Sequence, residues 1–118
     1  MTNNKKSTRY YSGRQEKKVA KVFNGKVVAN SGATPFGAGD VLADDWLFEC
    51  KTMTEEHKSF SIKRDWLKKN KEEAFAMGRG FNALVFDFGD NGDRYYVIDE
   101  RTFKILKEAY ENDQRTGV

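Results

Sequence analysis

The chain predicts one α/β domain, a central mixed β-sheet flanked by helices in the order αββ(β)αββα. Three observations carry this prediction. Short runs of bulky, strand-favouring residues are separated from longer stretches whose apolar residues recur at helical spacing. Gly, Asn and Asp clusters punctuate the boundaries. The chain has 118 residues, the length of one domain, and its 14% aromatic content supplies a core although 33% of it is charged.

Met1 to Tyr11 is polar and basic, with Lys5, Lys6 and Arg9 and no acid. It reads as a flexible arm over 1–11 ahead of a single domain over 12–118. The arm is either a disordered tail or a basic segment lying on a phosphate backbone, with Tyr10 and Tyr11 offered for stacking. Ser12-x-x-Gln15 is a capping-box pattern and starts a helix, which Asn24-Gly25 stops. Val19, Ala20 and Phe23 form its apolar stripe. Glu16 falls on the same stripe, at i, i+4, i+7 with Ala20 and Phe23. An inward carboxylate needs a partner, so Glu16 either sits at the stripe's edge with its head in water or points at an acidic site.

Lys26–Asn30 is a short strand, and Ser31–Gly39, SGATPFGAG, is a loop by composition. The next stretch, GDVLADDWLFECK, is a hairpin: an apolar run, a polar Asp44-Asp45 turn and a second bulky run. A two-residue turn sets Ala43 opposite Trp46, Leu42 opposite Leu47, Val41 opposite Phe48 and Asp40 opposite Glu49. Opposed residues have Cβ atoms roughly 4.5–5.5 Å apart on one face. Lys51, two residues beyond Glu49, shares that face, whereas Cys50 points away beside Phe48. Opposed like charges destabilise a sheet. Acidic oxygens converging on one point suit a hard cation such as Mg²⁺.

Thr52–Ser61 is a polar loop. Ser61 is the expected cap of a second helix, with Ile62, Trp66, Asn70, Ala74 and Met77 on one face, broadened by Leu67 and Phe75, and with Gly78 and Gly80 closing it. Lys63, Arg64, Lys68, Lys69 and Lys71 crowd its first half, either as a solvated face or as a side turned to phosphate. Asn82–Phe88 and Arg94–Ile98 are strands around a Gly-Asp turn. Asp99 caps a last helix from Glu100 to about Tyr110, with Phe103, Leu106 and Tyr110 expected to face inward.

Several function classes are excluded. One cysteine and one histidine disfavour a zinc cluster and a Cys-His nucleophilic pair, and a lone cysteine forms no internal disulfide. No apolar run reaches the ~20 residues of a membrane helix, and there is no signal-peptide core, so the expectation is a soluble intracellular protein without a membrane partner. The net charge of +3 permits a nucleic-acid partner without demanding one.

Gly39-Asp40 followed by Glu49-Cys50-Lys51 at the end of a hydrophobic strand resembles the PD-(D/E)XK nuclease superfamily, with Gly39 where a proline is usual. The Ser31-Gly32 loop and the Glu on the first helix resemble Holliday-junction resolvases of the archaeal and phage type. The resemblance implies a restriction-endonuclease-like fold and a Mg²⁺-dependent endodeoxyribonuclease leaving 5′-phosphates, with Mn²⁺ able to substitute. It implies Asp40, Glu49, Lys51, Glu16 and Ser31 as catalytic residues. Asp40, Glu49, the Cys50 carbonyl and Glu16 are its candidate metal ligands. The candidate DNA contacts are Lys5, Lys6, Arg9, Arg14, Lys63 and Lys68. Symmetric cuts on a junction imply a homodimer acting in the cytoplasm, the host's if the source is a phage. A nicking or flap-type endonuclease, or a silent DNA-binding module of the same fold, are the alternatives.

Overall fold

The computed structural model describes residues 8–28, 40–52, 58–89 and 92–116, with side chains from residue 13 onward. The elements are α1 (Thr8–Phe23), β1 (Lys26–Val28), β2 (Asp40–Ala43), β3 (Trp46–Lys51), α2 (Arg64–Ala76), β4 (Phe81–Phe86), β5 (Tyr95–Val97) and α3 (Glu100–Arg115). The αβββαββα order is the one the sequence predicts. The five strands form one sheet in chain order, β1-β2-β3-β4-β5. All neighbours are antiparallel except β3 and β4, which are parallel because α2 crosses between them.

The hairpin register is the predicted one: Asp40 opposite Glu49, Val41 opposite Phe48, Leu42 opposite Leu47, Ala43 opposite Trp46. Asp44 adopts φ +50°, as a tight two-residue turn demands. The pleat then sorts side chains between two helices. Val41, Ala43, Phe48, Cys50, Ala83 and Val85 pack with Val19 of α1 into one buried core. Asp40, Leu47, Glu49, Lys51, Asn82 and Leu84 take the other face, over which α2 lies. Stacked rings knit the α1 side together: Phe23 on Phe48 at 4.9 Å, Phe48 on Trp46 at 5.5 Å and Trp46 on Phe81 at 4.9 Å between centroids.

Helix ends follow backbone chemistry. α1 closes with Asn24 at φ +52° and Gly25 N donating to Ala20 O. α2 closes in the same way, with Gly78 at φ +70°, Gly78 N donating to Phe75 O and Arg79 N to Ala74 O. Asp99 caps α3 by accepting from Thr102 N at 2.8 Å.

Four expectations need correction. α1 starts at Thr8, so Ser12 is helix interior and the capping box does not mark its beginning. Lys63, not Ser61, is the residue before α2, and it makes no side-chain cap bond. The inward stripe of α2 is narrow: Asn70 and Ala74 are buried, while Ile62, Leu67, Phe75 and Met77 are exposed. α3 runs to Arg115, and Phe103, Leu106 and Tyr110 are 59, 42 and 66% exposed rather than inward. Periodicity identifies an apolar face without identifying what covers it.

Two glycines of α1 and its turn separate local from tertiary constraint. A Cβ on Gly25 would lie 2.6 Å from Leu42 O and 3.0 Å from Ala43 Cβ, whereas one on Gly13 meets nothing within 4 Å. Gly25→Ala is therefore expected to destabilise the fold by about 1–3 kcal/mol through overpacking. Gly13→Ala, in the helix interior, is expected to stabilise it by roughly 0.5–1 kcal/mol. Urea unfolding midpoints check both signs.

Candidate metal centre

The antiparallel ladder places Asp40 and Glu49 face to face at the start of β2 and near the end of β3. Both are buried, at 9 and 4% exposure. α2 brings a third acid, Glu73, and one ligand oxygen from each of the three lies within 4.8 Å of the others. Glu49 Oε2 is buried and has no hydrogen-bond partner. A buried, unpartnered carboxylate oxygen is costly. Three acids converging around it form the hard, all-oxygen donor set that Mg²⁺ or Mn²⁺ accepts, so the residues fit a divalent cation.

The electrostatics agree. Burial, then the charge of Glu73, pushes Asp40 up to about 6, against the opposing charges of Lys69 and Lys51. Burial pushes Glu49 up to about 7, with Asp40 and Glu73 adding to it and Lys51 and Lys69 opposing it. Lys51, 6% exposed, sits with Nζ 3.9 Å from Glu49 Oε1, close enough for charge attraction but too far for a hydrogen bond. Burial draws the pKa of Lys51 downward. Its Nζ lies 4.5 Å from the centroid of the Trp66 ring, on α2, which gives the ammonium a cation–π neighbour where water is scarce.

The strand end that presents Lys51 is braced from α1. Gln15, 3% exposed, donates through Nε2 to Lys51 O at 2.9 Å and to Asp87 Oδ2 at 3.0 Å. Thr52 Oγ1 and Gly89 N donate to Asp87 Oδ1 at 2.9 and 3.2 Å. The ends of β3 and β4 are thereby tied to one buried carboxylate.

The structure thus gathers Asp40, Glu49 and Lys51 as expected. The third carboxylate comes from α2 as Glu73, and not from α1. Glu16 is buried on α1, which packs on the opposite sheet face, and its charge helps burial hold the Cys50 thiol above its ordinary range. Cys50 is fully buried in the apolar core beside Phe48. Lys63 has Nζ 5.5 Å from the Trp66 centroid, at the margin of the centre. Lys68 lines a separate cleft of about 360 Å³ with Arg64, Leu67 and Lys71. Arg14 is exposed on α1. Ser31, Lys5 and Lys6 lie outside the described residues, as does the side chain of Arg9.

Glu73, Lys69, Trp66 and Gln15 were not anticipated as site residues. Glu73 carried a signal: it falls at i+7 from Trp66 and i+3 from Asn70, on the stripe that meets the sheet. Gln15 carried none, since its partners lie 36 and 72 residues away.

Compared with family models, curated proteins and solved structures, the chain matches none. The fold is restriction-endonuclease-like. Its acidic cluster is consistent with the PD-(D/E)XK superfamily and with binding of a divalent metal. Among the described residues, no helix is long and apolar enough to cross a membrane.

The raised acids set a pH dependence. Folded and metal-free, Asp40 and Glu49 hold protons up to about pH 6 and 7, against 3.8 and 4.5 without the fold's influence. Between these limits the folded state binds more protons, so stability falls as pH rises. The metal-free protein is expected to melt at a higher temperature at pH 5 than at pH 8. Mn²⁺ or Mg²⁺ is expected to restore the difference at pH 8 and to do little at pH 5, with protons released on binding. Asp40→Asn is expected to raise the metal-free melting temperature at pH 8 and to abolish the response to metal. Thermal melts with and without the ion, and titration calorimetry in buffers of different ionisation enthalpy, check these outcomes.

Proposed function

We propose that the protein is a Mg²⁺-dependent structure-specific DNA endonuclease, acting as a Holliday-junction resolvase in recombination or replication. The observation that carries the reading is the Asp40–Glu49–Glu73 triad, with its unpartnered Glu49 oxygen, beside a buried lysine. Asp40, Glu49 and Glu73 would hold the ion, with the Cys50 carbonyl offering a further oxygen, while Glu16 stays on the α1 side of the sheet. A divalent ion bound there supplies positive charge against phosphate oxygens and lowers the pKa of a nearby water.

Lys51 does the rest at close range. As an ammonium it faces the charge that builds on the phosphate. Burial lowers its pKa, so it exchanges a proton with water more readily than a surface lysine. Trp66 limits where its Nζ can go. Attack of a water oxygen on phosphorus breaks the bond to the 3′ oxygen and leaves a 5′-phosphate and a 3′-hydroxyl. Ser31 is assigned an assisting role. Lys5, Lys6, Arg9, Arg14, Lys63 and Lys68 are assigned to the DNA backbone, where each phosphate contact adds to the salt dependence of binding.

A cleavage panel with Mg²⁺ tests this: four-way junction, flap, nicked duplex, linear duplex and single strand. Resolvase action is expected to give paired, symmetric incisions on the junction alone. Incision of flaps or linear duplex instead moves the assignment to a nicking or general endonuclease. Asp40→Asn, Glu49→Gln and Lys51→Ala are each expected to lower the rate by about 100-fold or more. Wild-type rates in all three would remove the site assignment. Cleavage is expected to rise between pH 6 and 8, as Asp40 and Glu49 lose the protons that compete with the ion.

A further inference from the structure

α3 presents an apolar face that the other described elements leave open. Phe103, Leu106 and Tyr110 fall at i, i+3 and i+7, and all three are exposed. Thr102 is the buried residue of this helix, and α3 packs broadly on no other described element. Beside it opens a cleft of about 440 Å³, walled by Phe23, Trp46, Phe48 and Tyr96 across from Leu106. Phe23 and Tyr96 are themselves 40 and 36% exposed. Contiguous apolar surface of this kind marks an interaction site.

We propose that a second copy of this chain covers it, the two α3 helices lying antiparallel about a two-fold axis between Leu106 and Lys107. The charge pattern selects this occupant and this direction. The first half of α3 carries Arg101, Lys104 and Lys107, and the second half Glu108, Glu111 and Asp113. An antiparallel pair sets the basic half of each copy beside the acidic half of the other; a parallel pair sets like against like. Glu100 and Arg115 are the exceptions, and they stand at the helix N- and C-terminus, where the backbone dipole favours an acid and a base respectively. The same axis brings Phe103 of each copy to Tyr110 of the other, an isologous contact that closes on itself.

The area is of the right order. A buried aromatic side chain covers about 150–250 Å². The exposed parts of Phe103, Leu106, Tyr110, Phe23 and Tyr96 therefore amount to several hundred Å², a large share of the ~800 Å² per partner of a standard interface. This inference does not depend on the chemistry of the metal centre, which lies on the α2 side of the sheet.

Sedimentation velocity on the full chain over a concentration series tests it. The 13.6 kDa chain is expected to sediment at twice that mass, and the Phe103→Glu/Tyr110→Glu variant at the single mass, with an unchanged circular dichroism spectrum. Charge reversal supplies a second test that leaves the apolar face intact. Arg101→Glu/Lys104→Glu/Lys107→Glu alone, and Glu108→Lys/Glu111→Lys/Asp113→Lys alone, are each expected to stay monomeric, and an equimolar mixture to form pairs. A wild-type chain that remains monomeric at hundreds of micromolar overturns the proposal. So does a dimer that either set of substitutions leaves intact, or a mixture of reversed chains that does not pair.

Discussion

Two carboxylates held opposite each other by a β-ladder are the constraint on which the rest of the structure depends. The ladder fixes the spacing of Asp40 and Glu49 through backbone hydrogen bonds, so the side chains cannot relax apart by moving the strands. Burial then removes the water that would screen their repulsion. The fold answers with neighbours of opposite charge, Lys51 from the same strand and Lys69 from α2. It also adds a third acid, Glu73, which deepens the negative field. Repulsion of this kind is costly when nothing offsets it, and the cluster is consistent with binding of a divalent metal.

The sheet divides its labour by parity. Residues at one set of alternating positions build an aromatic and aliphatic core against α1. Residues at the other set carry the polar chemistry, and α2 covers them with a mixed surface of Trp66, Lys69, Asn70 and Glu73. Cys50 shows how sharp this division is. It lies between Glu49 and Lys51 in sequence, yet it is packed in the apolar core with a thiol that burial keeps protonated. One polar bridge crosses the division at the strand ends, where Gln15 of α1 holds the Lys51 carbonyl and the Asp87 carboxylate together. This bridge couples the packing of α1 to the position of the lysine without placing α1 in the metal centre.

α3 stands outside this economy of faces. The β4–β5 pair ends the sheet, and the last helix leaves it with an apolar stripe that no other described element packs broadly against. Its capping by Asp99 and its Lys107–Glu111 ion pair are local interactions that stabilise a helix with little tertiary support. A helix of this kind satisfies its backbone internally and leaves its side chains for another surface.

By itself the sequence determined what is local or periodic. The two-residue turn and the alternation of strand residues set the hairpin register, hence the convergence of Asp40, Glu49 and Lys51 and the diversion of Cys50. Asn24, Gly78 and Asp99 marked helix ends because backbone groups there need specific partners. Only the tertiary structure decided which helix supplies the third acid. Helical spacing placed Glu16 on the inward stripe of α1 and did not single out Glu73, and the side of the sheet on which each helix packs is a property of the whole topology. It likewise decided that Gln15 reaches Asp87 and that Phe103, Leu106 and Tyr110 are exposed among the described residues. A sequence period reports that a face exists; what lies against that face depends on residues far away in the chain, and three-dimensional packing alone brings them together.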